Sequence, residues 1–244
     1  MSPQKHRINV LDTDFDNLTM DEAVLALREQ MGKKSGAYLV TPNPEIVWLA
    51  RKDTDFAAVV EQAALVLPDG VGITIGAKIL GTPLKARLPG IAVIEQLLAT
   101  MAPKGESVFL FGAAPGVAQY AAECLVEKYP GLVIAGIADG YSDYDKTAEA
   151  ICAAEPDLLL VCLGAPRQEN WMAAQDFQGV VGVMAGLGGA LDVFSGKVRR
   201  APRWMQKAGL EWLYRLIREP RRIGRMMRLP LFLVAVLWRR VTGR

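Results

Sequence analysis

The chain repeats one pattern: a short unbroken apolar run, often closed by glycine, then a segment with helical spacing. The runs are "AYLVT" (37–41), "ALVL" (64–67), "SVFLFG" (107–112), "LVIAGI" (132–137), "DLLLVCLG" (157–164) and "GVVGVMAG" (179–186). They are continuous rather than alternating, as expected of strands buried on both faces. Between them, Gly90–Met101, Val117–Tyr129 and Arg167–Phe177 place apolar residues at helical intervals. An opening strand is expected at Arg7–Leu11, followed by a helix begun by Thr19 or Asp21 and ended near Gly32. Strand, helix, strand at this spacing predicts an α/β fold, a mainly parallel sheet covered by helices on both faces.

A chain of 244 residues that is 51% hydrophobic can bury a full core in one such domain. Three cysteines, Cys124, Cys152 and Cys162, lie on apolar stretches with no C-x-x-C spacing. They read as reduced thiols, not a disulfide frame or a zinc site. The N-terminal stretch lacks the apolar core of a signal peptide, so a cytoplasmic protein is expected. The single histidine, His6, lies in that tail, so chemistry resting on histidine is excluded.

The net charge of +2 conceals a division. Residues 1–195 carry 14 Lys and Arg against 24 Asp and Glu, a balance of −10. Residues 196–244 carry 14 Lys and Arg against Glu211 and Glu219 alone, a balance of +12. We therefore expect a Rossmann-like domain over 1–195 and a basic helical appendage over 196–244. In the appendage Trp212, Leu213, Leu216 and Ile217 form one stripe, and Pro220 and Pro230 are expected to break it into short helices. Its one strongly apolar stretch, Leu229–Trp238, is about half of what a spanning helix needs.

In an open parallel sheet, ligands bind beyond the carboxyl ends of the strands. Four successive strands here end in glycine with a polar residue close behind. Gly112, Ala113 and Pro115 follow the first, with Gly116 opening a helix whose N-terminus favours an anion. Gly136 and Asp139 follow the second; Gly164, Pro166, Arg167, Gln168 and Glu169 the third; Gly186, Gly188 and Asp192 the fourth. Such ends on one edge imply a crevice for a nucleotide-sized ligand. Each glycine also suits a plain packing turn, and Gln168 a helix start.

The first half offers Thr41 and Asn43 in "LVTPNPEIV", Asp69 in "VLPDGVGITIG" and Arg87 in "PLKARLPG". Asn43 reads equally well as a helix cap, Asp69 as a cap worth about 1 kcal/mol or as a proton acceptor, and Arg87 as solvated or ligand-binding. Two Asp-x-Asp pairs, Asp12–Asp14 and Asp53–Asp55, could hold a divalent cation. The second directly precedes "FAAVVEQA", the place of a helix cap and acidic first turn, and neither is tied to a strong strand end, so no metal site is expected.

Seven stretches in order resemble the bacterial WecG/TagA/CpsF family of glycosyltransferases over about residues 8–230. They are "TPNPEIVWLA", "AALVLPDGVGI", "RLPGIAVIEQLL", "VFLFGAAPGVAQYAAECL", "PDLLLVCLGAPRQENWM", "GLGGALDVFSGKVRRAPRW" and "GLEWLYRLIREPRRIGR". The resemblance implies an inverting, metal-independent enzyme without a cofactor. It would move an N-acetylmannosamine-type sugar, its uronic acid or a glucose from a UDP-sugar to a polyprenyl-diphosphate-linked sugar. By resemblance, Asp69 is the catalytic base and Thr41, Asn43, Arg87 and Gln168 are active-site residues. The appendage would face the inner leaflet of the cytoplasmic membrane, with Arg215, Arg218, Arg222 and Arg225 as candidates to reach the diphosphate. Arg167 departs from the family's usual residue at that position.

One carboxylate suffices for an inverting displacement, because a single base takes the acceptor proton. A basic tail with Trp204, Trp212 and Trp238 suits an anionic membrane surface, or a helical pair packed on the body or on a second copy in a homo-oligomer. A nicotinamide-dependent oxidoreductase would want G-x-G-x-x-G and an acidic residue about 20 positions on, which this spacing does not supply. A membrane-attached nucleotide-binding protein without catalysis fits the crevice and tail but gives Asp69 no role beyond capping. Nucleic acid is disfavoured as a partner by the acidic body.

Overall fold

The computed structural model describes residues 6–218, Gly224 and 228–243. The chain divides into two compact units. One comprises Met1–Thr19, Thr41–Pro89 and Arg200–Arg244; the other comprises Met20–Val40 and Gly90–Arg199. The basic segment from Arg200 onward thus belongs to the same unit as the "TPNP" and "LPDG" stretches.

The second unit holds strands β3 (Ala37–Val40), β5 (Ser107–Gly112), β6 (Val133–Ala138), β7 (Leu158–Cys162) and β8 (Val183–Gly186). They lie in the order β3-β8-β7-β5-β6, and every pair is parallel. The register pairs Phe109 with Leu159, Leu159 with Met184 and Leu39 with Ala185, so apolar residues meet apolar residues across the sheet. Leu110, Phe111 and residues 158–161 and 183–185 are buried. Each large side chain among them contributes about 1.5–3 kcal/mol. Helices α1 (Met20–Gly32), α5 (Gly90–Met101), α6 (Val117–Lys128), α7 (Tyr144–Ala154), α8 (Arg167–Ala173) and α9 (Ala190–Phe194) flank the sheet. Helix α1 packs on α5, α6 on α9, α7 on β6, and α8 on β3, β7 and β8. The expected α/β architecture is therefore observed, with strands shorter than the apolar runs. Residues 163–164 and 179–182, for example, belong to the apolar runs but lie outside the strands.

The first unit opens on a hairpin. Strands β1 (Arg7–Val10) and β2 (Thr13–Asp16) pair antiparallel, with Ile8 opposite Phe15. Sequence reading anticipated only the first, because "DTDFD" lacks the apolar run that marks a strand. Leu11 and Asp12, both at positive φ (49° and 69°), form the two-residue turn. The carboxylates of the first Asp-x-Asp pair are engaged: Asp12 pairs with Arg51 and Arg239, and Asp14 accepts from Asn9. The second pair is the cap anticipated above. Asp53 accepts from the Asp55 and Phe56 amides and opens α3 (Thr54–Glu61), with Asp55 in the first turn. The unit also contains α2 (Pro44–Ala50), the two-residue strand β4 (Leu65–Val66), α4 (Val71–Leu80), α10 (Arg203–Lys207), α11 (Glu211–Arg218) and α12 (Arg228–Thr242).

Helix α12 is docked by one face. Phe232 and Val236 are fully buried, and they sit over Gly76 of α4, where an added Cβ would lie 3.1 Å from the Phe232 ring and 3.2 Å from Val236. One turn earlier, a Cβ at Gly72 would come within 2.7 Å of Leu229 and 2.6 Å of Pro44. The Gly72-x-x-x-Gly76 ridge lets the two helices approach closely. Ion pairs flank the contact, Arg228 with Glu45 at 3.3 Å and Arg239 with Asp12 at 2.6 Å. Pro230 was expected to break this segment. It lies instead in the first turn of α12, where its missing N–H has no intrahelical partner to lose. Pro220 lies outside the described residues. No helix among the described residues is long and apolar enough to cross a membrane.

Replacing the fully buried Phe232 with alanine should cost about 3–5 kcal/mol of stability in denaturant unfolding. Because the anchor of α12 is lost, tryptic cleavage at Arg239 and Arg240 should accelerate in the same variant under native conditions.

Candidate active site

Three separate stretches of the first unit are stitched side by side by their backbones. The Asp69 N–H donates to the Pro42 carbonyl (3.2 Å), and the Leu88 N–H donates to the Pro68 carbonyl (2.8 Å). These bonds bring Thr41, Asn43, Asp69 and Arg87, expected from three unconnected motifs, into one neighbourhood. An added Cβ at Gly70 would meet Pro44 at 3.5 Å and Asn43 at 3.7 Å. Thr41 is buried, and Asn43, Asp69 and Arg87 are half-buried.

The capping readings separate here. Asn43 is a helix cap: its Oδ1 accepts from the Glu45 (2.9 Å) and Ile46 (3.1 Å) amides at the start of α2. Asp69 is not the cap of α4. That position belongs to Gly70, held at φ 88° and ψ 142°, a conformation that favours glycine. Arg87 donates to the Gln206 carbonyl at 2.6 Å, and Gln206 in turn donates to the Ala201 carbonyl at 2.7 Å. Arg87 therefore ties its loop to α10. Arg215 and Arg218 fall in α11, where Arg218 is exposed and stacks over Tyr214 at 5.6 Å. Arg222 and Arg225 lie outside the described residues.

In the second unit the register aligns the strand ends: Gly112 lies beside Cys162, and Val161 beside Gly186. The turns that follow β5, β7 and β8 therefore emerge at one edge, together with Asp139 after β6. The glycines of this edge fall into two kinds. Gly112, Gly136 and Gly186, expected to admit a ligand, are filled by the protein itself, and Gly136 lies inside β6 opposite Phe109 rather than at the strand's end. A Cβ at these three would strike the Cys162 carbonyl (2.4 Å), the Phe109 ring (2.4 Å) and Met172 (2.8 Å), respectively. At Gly116, Gly164 and Gly188 an added Cβ would meet nothing within 4 Å, and all three have positive φ (81°, 79° and 52°). These three turns face open space. Gly116 caps α6 without a side-chain acceptor, so the first amides of that helix take no bond from a capping side chain. Pro115 lies before this cap and is exposed.

Ala113 holds a left-handed φ of 62°. Its N–H donates to the Cys162 carbonyl (3.1 Å), and its carbonyl accepts from Gly140 (2.9 Å), which joins the turns after β5 and β6. Asp139 Oδ1 takes the Tyr141 amide (2.8 Å) and the Ser142 hydroxyl (3.2 Å), shaping that turn. Asp192 sits in the first turn of α9, and its carbonyl accepts from Val198. Pro166 is exposed after a cis peptide bond with Ala165.

Two features escaped sequence reading. Tyr141 is 81% exposed beside Asp139. Arg167 donates to the Tyr144 hydroxyl and stacks over its ring, which meets Phe111 edge-on at 5.4 Å. The aromatics in "ADGYSDY" were the available signal. Among the described residues, no group of three or more His, Cys, Asp or Glu side chains is placed to hold a metal ion.

Gln168 and Glu169 were both expected to meet a ligand, and both are turned inward. Gln168 is 4% exposed, and its Oε1 accepts from Gly164 (3.1 Å) and Gly188 (2.8 Å). Its Nε2 donates to Glu169 Oε1 at 2.8 Å. Glu169 is 0% exposed, and its Oε2 has no hydrogen-bond partner among the described residues. Burial raises its pKa above the ordinary 4.5, opposed by the bond from Gln168. Tyr38 and Cys162, on strands that α8 packs against, are pushed to about 12 by burial and stay neutral.

The direction of the Glu169 shift fixes a pH dependence. Below 4.5 both the folded and the unfolded carboxyl are protonated, and the contribution to stability is complete. As pH rises, the unfolded chain ionises first, so stability falls until the raised folded pKa is passed. Glu169→Gln removes this fall. Its melting temperature should gain on that of the wild type as pH rises from 4.5 toward neutrality; a constant difference would show an ordinary folded pKa.

Comparison with known proteins identifies the family. Residues 8–244 match the family described as "Glycosyl transferase WecG/TagA/CpsF family". An N-acetylglucosaminyldiphosphoundecaprenol N-acetyl-beta-D-mannosaminyltransferase of Bacillus spizizenii is 39% identical over 96% of this chain and 91% of its own length. Proteins of the same name from Bacillus subtilis and Staphylococcus aureus are 38% and 34% identical, over 86% and 94% of this chain and 82% and 92% of their own lengths. The chain belongs to the WecG/TagA/CpsF family of glycosyltransferases.

Proposed function

We propose that this glycosyltransferase moves an N-acetylmannosamine-type sugar from a UDP-sugar to a polyprenyl-diphosphate-linked sugar at the inner face of the cytoplasmic membrane. The relatives' names support the sugar and the lipid-linked acceptor. The observation that carries the reading is the convergence of Thr41, Asn43, Asp69 and Arg87 on two backbone bonds, with Gly70 rather than Asp69 capping α4.

The transfer is a single displacement with inversion. The Asp69 carboxylate accepts the proton of the acceptor hydroxyl as that oxygen bonds to the anomeric carbon. The bond from the anomeric carbon to the donor phosphate breaks, and UDP leaves with the electron pair. General-base catalysis by a positioned carboxylate of this kind contributes about 10²–10⁴ to the rate. In the second unit, the start of the 12-residue helix α6 suits an anion such as a diphosphate, with the open turns at Gly164 and Gly188 on the same edge. Tyr141 offers an exposed face for the base. The scheme asks for no metal, so a chelator should leave turnover unchanged.

Helix α12 supports membrane attachment. The face opposite its buried anchors exposes Leu231, Val234, Leu237, Trp238 and Val241, with Trp238 69% exposed and Arg240 close by. Such a face enters the headgroup boundary, and each nearby cation adds about 1 kcal/mol against anionic lipid.

Asp69→Asn should retain UDP binding and lose turnover by about 10²–10⁴; a loss smaller than about tenfold removes Asp69 as the base. The double variant Leu237→Asp, Trp238→Asp in the full chain should stop flotation with phosphatidylglycerol vesicles while the fold persists. Undiminished flotation would refute attachment through α12. Point variants are required because a truncation near Gly196 would also strip the partner of Gly72 and Gly76 from α4.

A further inference from the structure

We propose that Glu169 is a positioning residue: by fixing the amide of Gln168, it locks the open turns at Gly164 and Gly188 into one rigid edge. A carboxamide has one oxygen with two acceptor sites and one nitrogen with two donors. Both acceptor sites of Gln168 are used, by the Gly164 N–H at 3.1 Å and the Gly188 N–H at 2.8 Å. The two amides belong to turns that follow adjacent parallel strands, β7 and β8. One side chain therefore couples two strand ends that no backbone bond between those glycines joins.

The coupling works in one amide orientation only. Rotated by half a turn, the NH2 group would confront two N–H donors and both bonds would be lost. Something must hold Nε2 on the far side, and Glu169 Oε1 does so at 2.8 Å with no solvent exposure. A buried carboxyl with an unpartnered Oε2 costs stability that an apolar residue in its place would not. Orientation of Gln168 accounts for its presence. The role needs an acceptor oxygen and no charge, which agrees with a carboxyl held toward its neutral form.

The proposal rests on the nucleotide-binding reading of the turns for one of its two readouts only. The first readout is amide hydrogen exchange at Gly164 and Gly188, with Gly182, whose N–H donates to the Pro156 carbonyl, as an internal control. The second is the dissociation constant of UDP. Glu169→Met removes the acceptor at similar length. We expect exchange at both glycines to rise by about tenfold with Gly182 unchanged, and UDP affinity to fall by about tenfold. Glu169→Gln keeps an acceptor oxygen in the isostere of the neutral acid and should restore both values to within about twofold of wild type. Unchanged exchange at both glycines in Glu169→Met overturns the proposal, as does equal loss in Glu169→Gln. Accelerated exchange with unchanged UDP affinity supports the positioning role and refutes the nucleotide reading of the turns. Should Glu169→Met fail to fold, Glu169→Asp withdraws the acceptor by one methylene. Retained protection there overturns the proposal, and loss confined to the two glycines supports it.

Discussion

Two backbone hydrogen bonds decide which stretches of the first unit lie side by side. Asp69 to Pro42 and Leu88 to Pro68 join segments that lie far apart in sequence. Both acceptors are prolines in short Pro-rich turns, so their carbonyls are free of helix or sheet duty. The chain direction on either side is fixed by proline's locked φ. Once these bonds form, Thr41, Asn43, Asp69 and Arg87 can be neighbours only if each turn exits correctly. Gly70 ensures this for Asp69. At φ 88° and ψ 142° it starts α4 one residue later than a capping aspartate would, which removes Asp69 from the capping position. The identity of residue 70 thus bears on the role of residue 69.

Much of this was legible beforehand. Continuous apolar runs separated by helical spacing dictate a parallel sheet, and β3, β5, β7 and β8 lie within theirs. Parallel strands in one sheet then force their carboxyl ends to one edge, so the grouping of Gly116, Gly164 and Gly188 follows from the pattern alone. The hairpin β1–β2 was illegible in part because half of it is polar and its turn uses Leu11 and Asp12 at positive φ, where glycine or asparagine would have signalled. The residues that spell a ligand glycine and a packing glycine are the same. Gly112 and Gly116 stand four positions apart in one motif, yet a Cβ at Gly112 would strike a neighbouring carbonyl and one at Gly116 would meet nothing. Only the register of β5 against β7 tells them apart.

The C-terminal segment shows how charge can mislead about structure. Its surplus of cations suggested an appendage distinct from the body, but cations do not dock α12. Phe232 and Val236 do, against a Gly72-x-x-x-Gly76 ridge already visible in "VGITIG". Arg228 and Arg239 then pair with acidic residues of the same unit, so part of the positive charge is spent within the fold. What is left over is geometric: a helix anchored by one side must present the other, and here the other side is apolar. The unit that carries Asp69 and Arg87 therefore also carries the face suited to a lipid surface. Loss of α12 packing would expose Gly72 and Gly76 on the helix that Gly70 caps, one residue after Asp69.

The second unit solves a different problem, the holding of open turns. Glycines at positive φ have little intrinsic rigidity, and a loose loop is a poor anion cradle because ordering it opposes binding. No main-chain bond between Gly164 and Gly188 supplies the missing stiffness. A side chain from beneath does. Gln168 reaches two turns at once because α8 begins where β7 ends and packs across β8, and Ala113 links the turns after β5 and β6 through its own carbonyl. Each device restrains a turn from the interior and leaves its outer face clear. A buried glutamate with one idle oxygen is then the consequence of asking a single carboxamide to accept twice in the same direction.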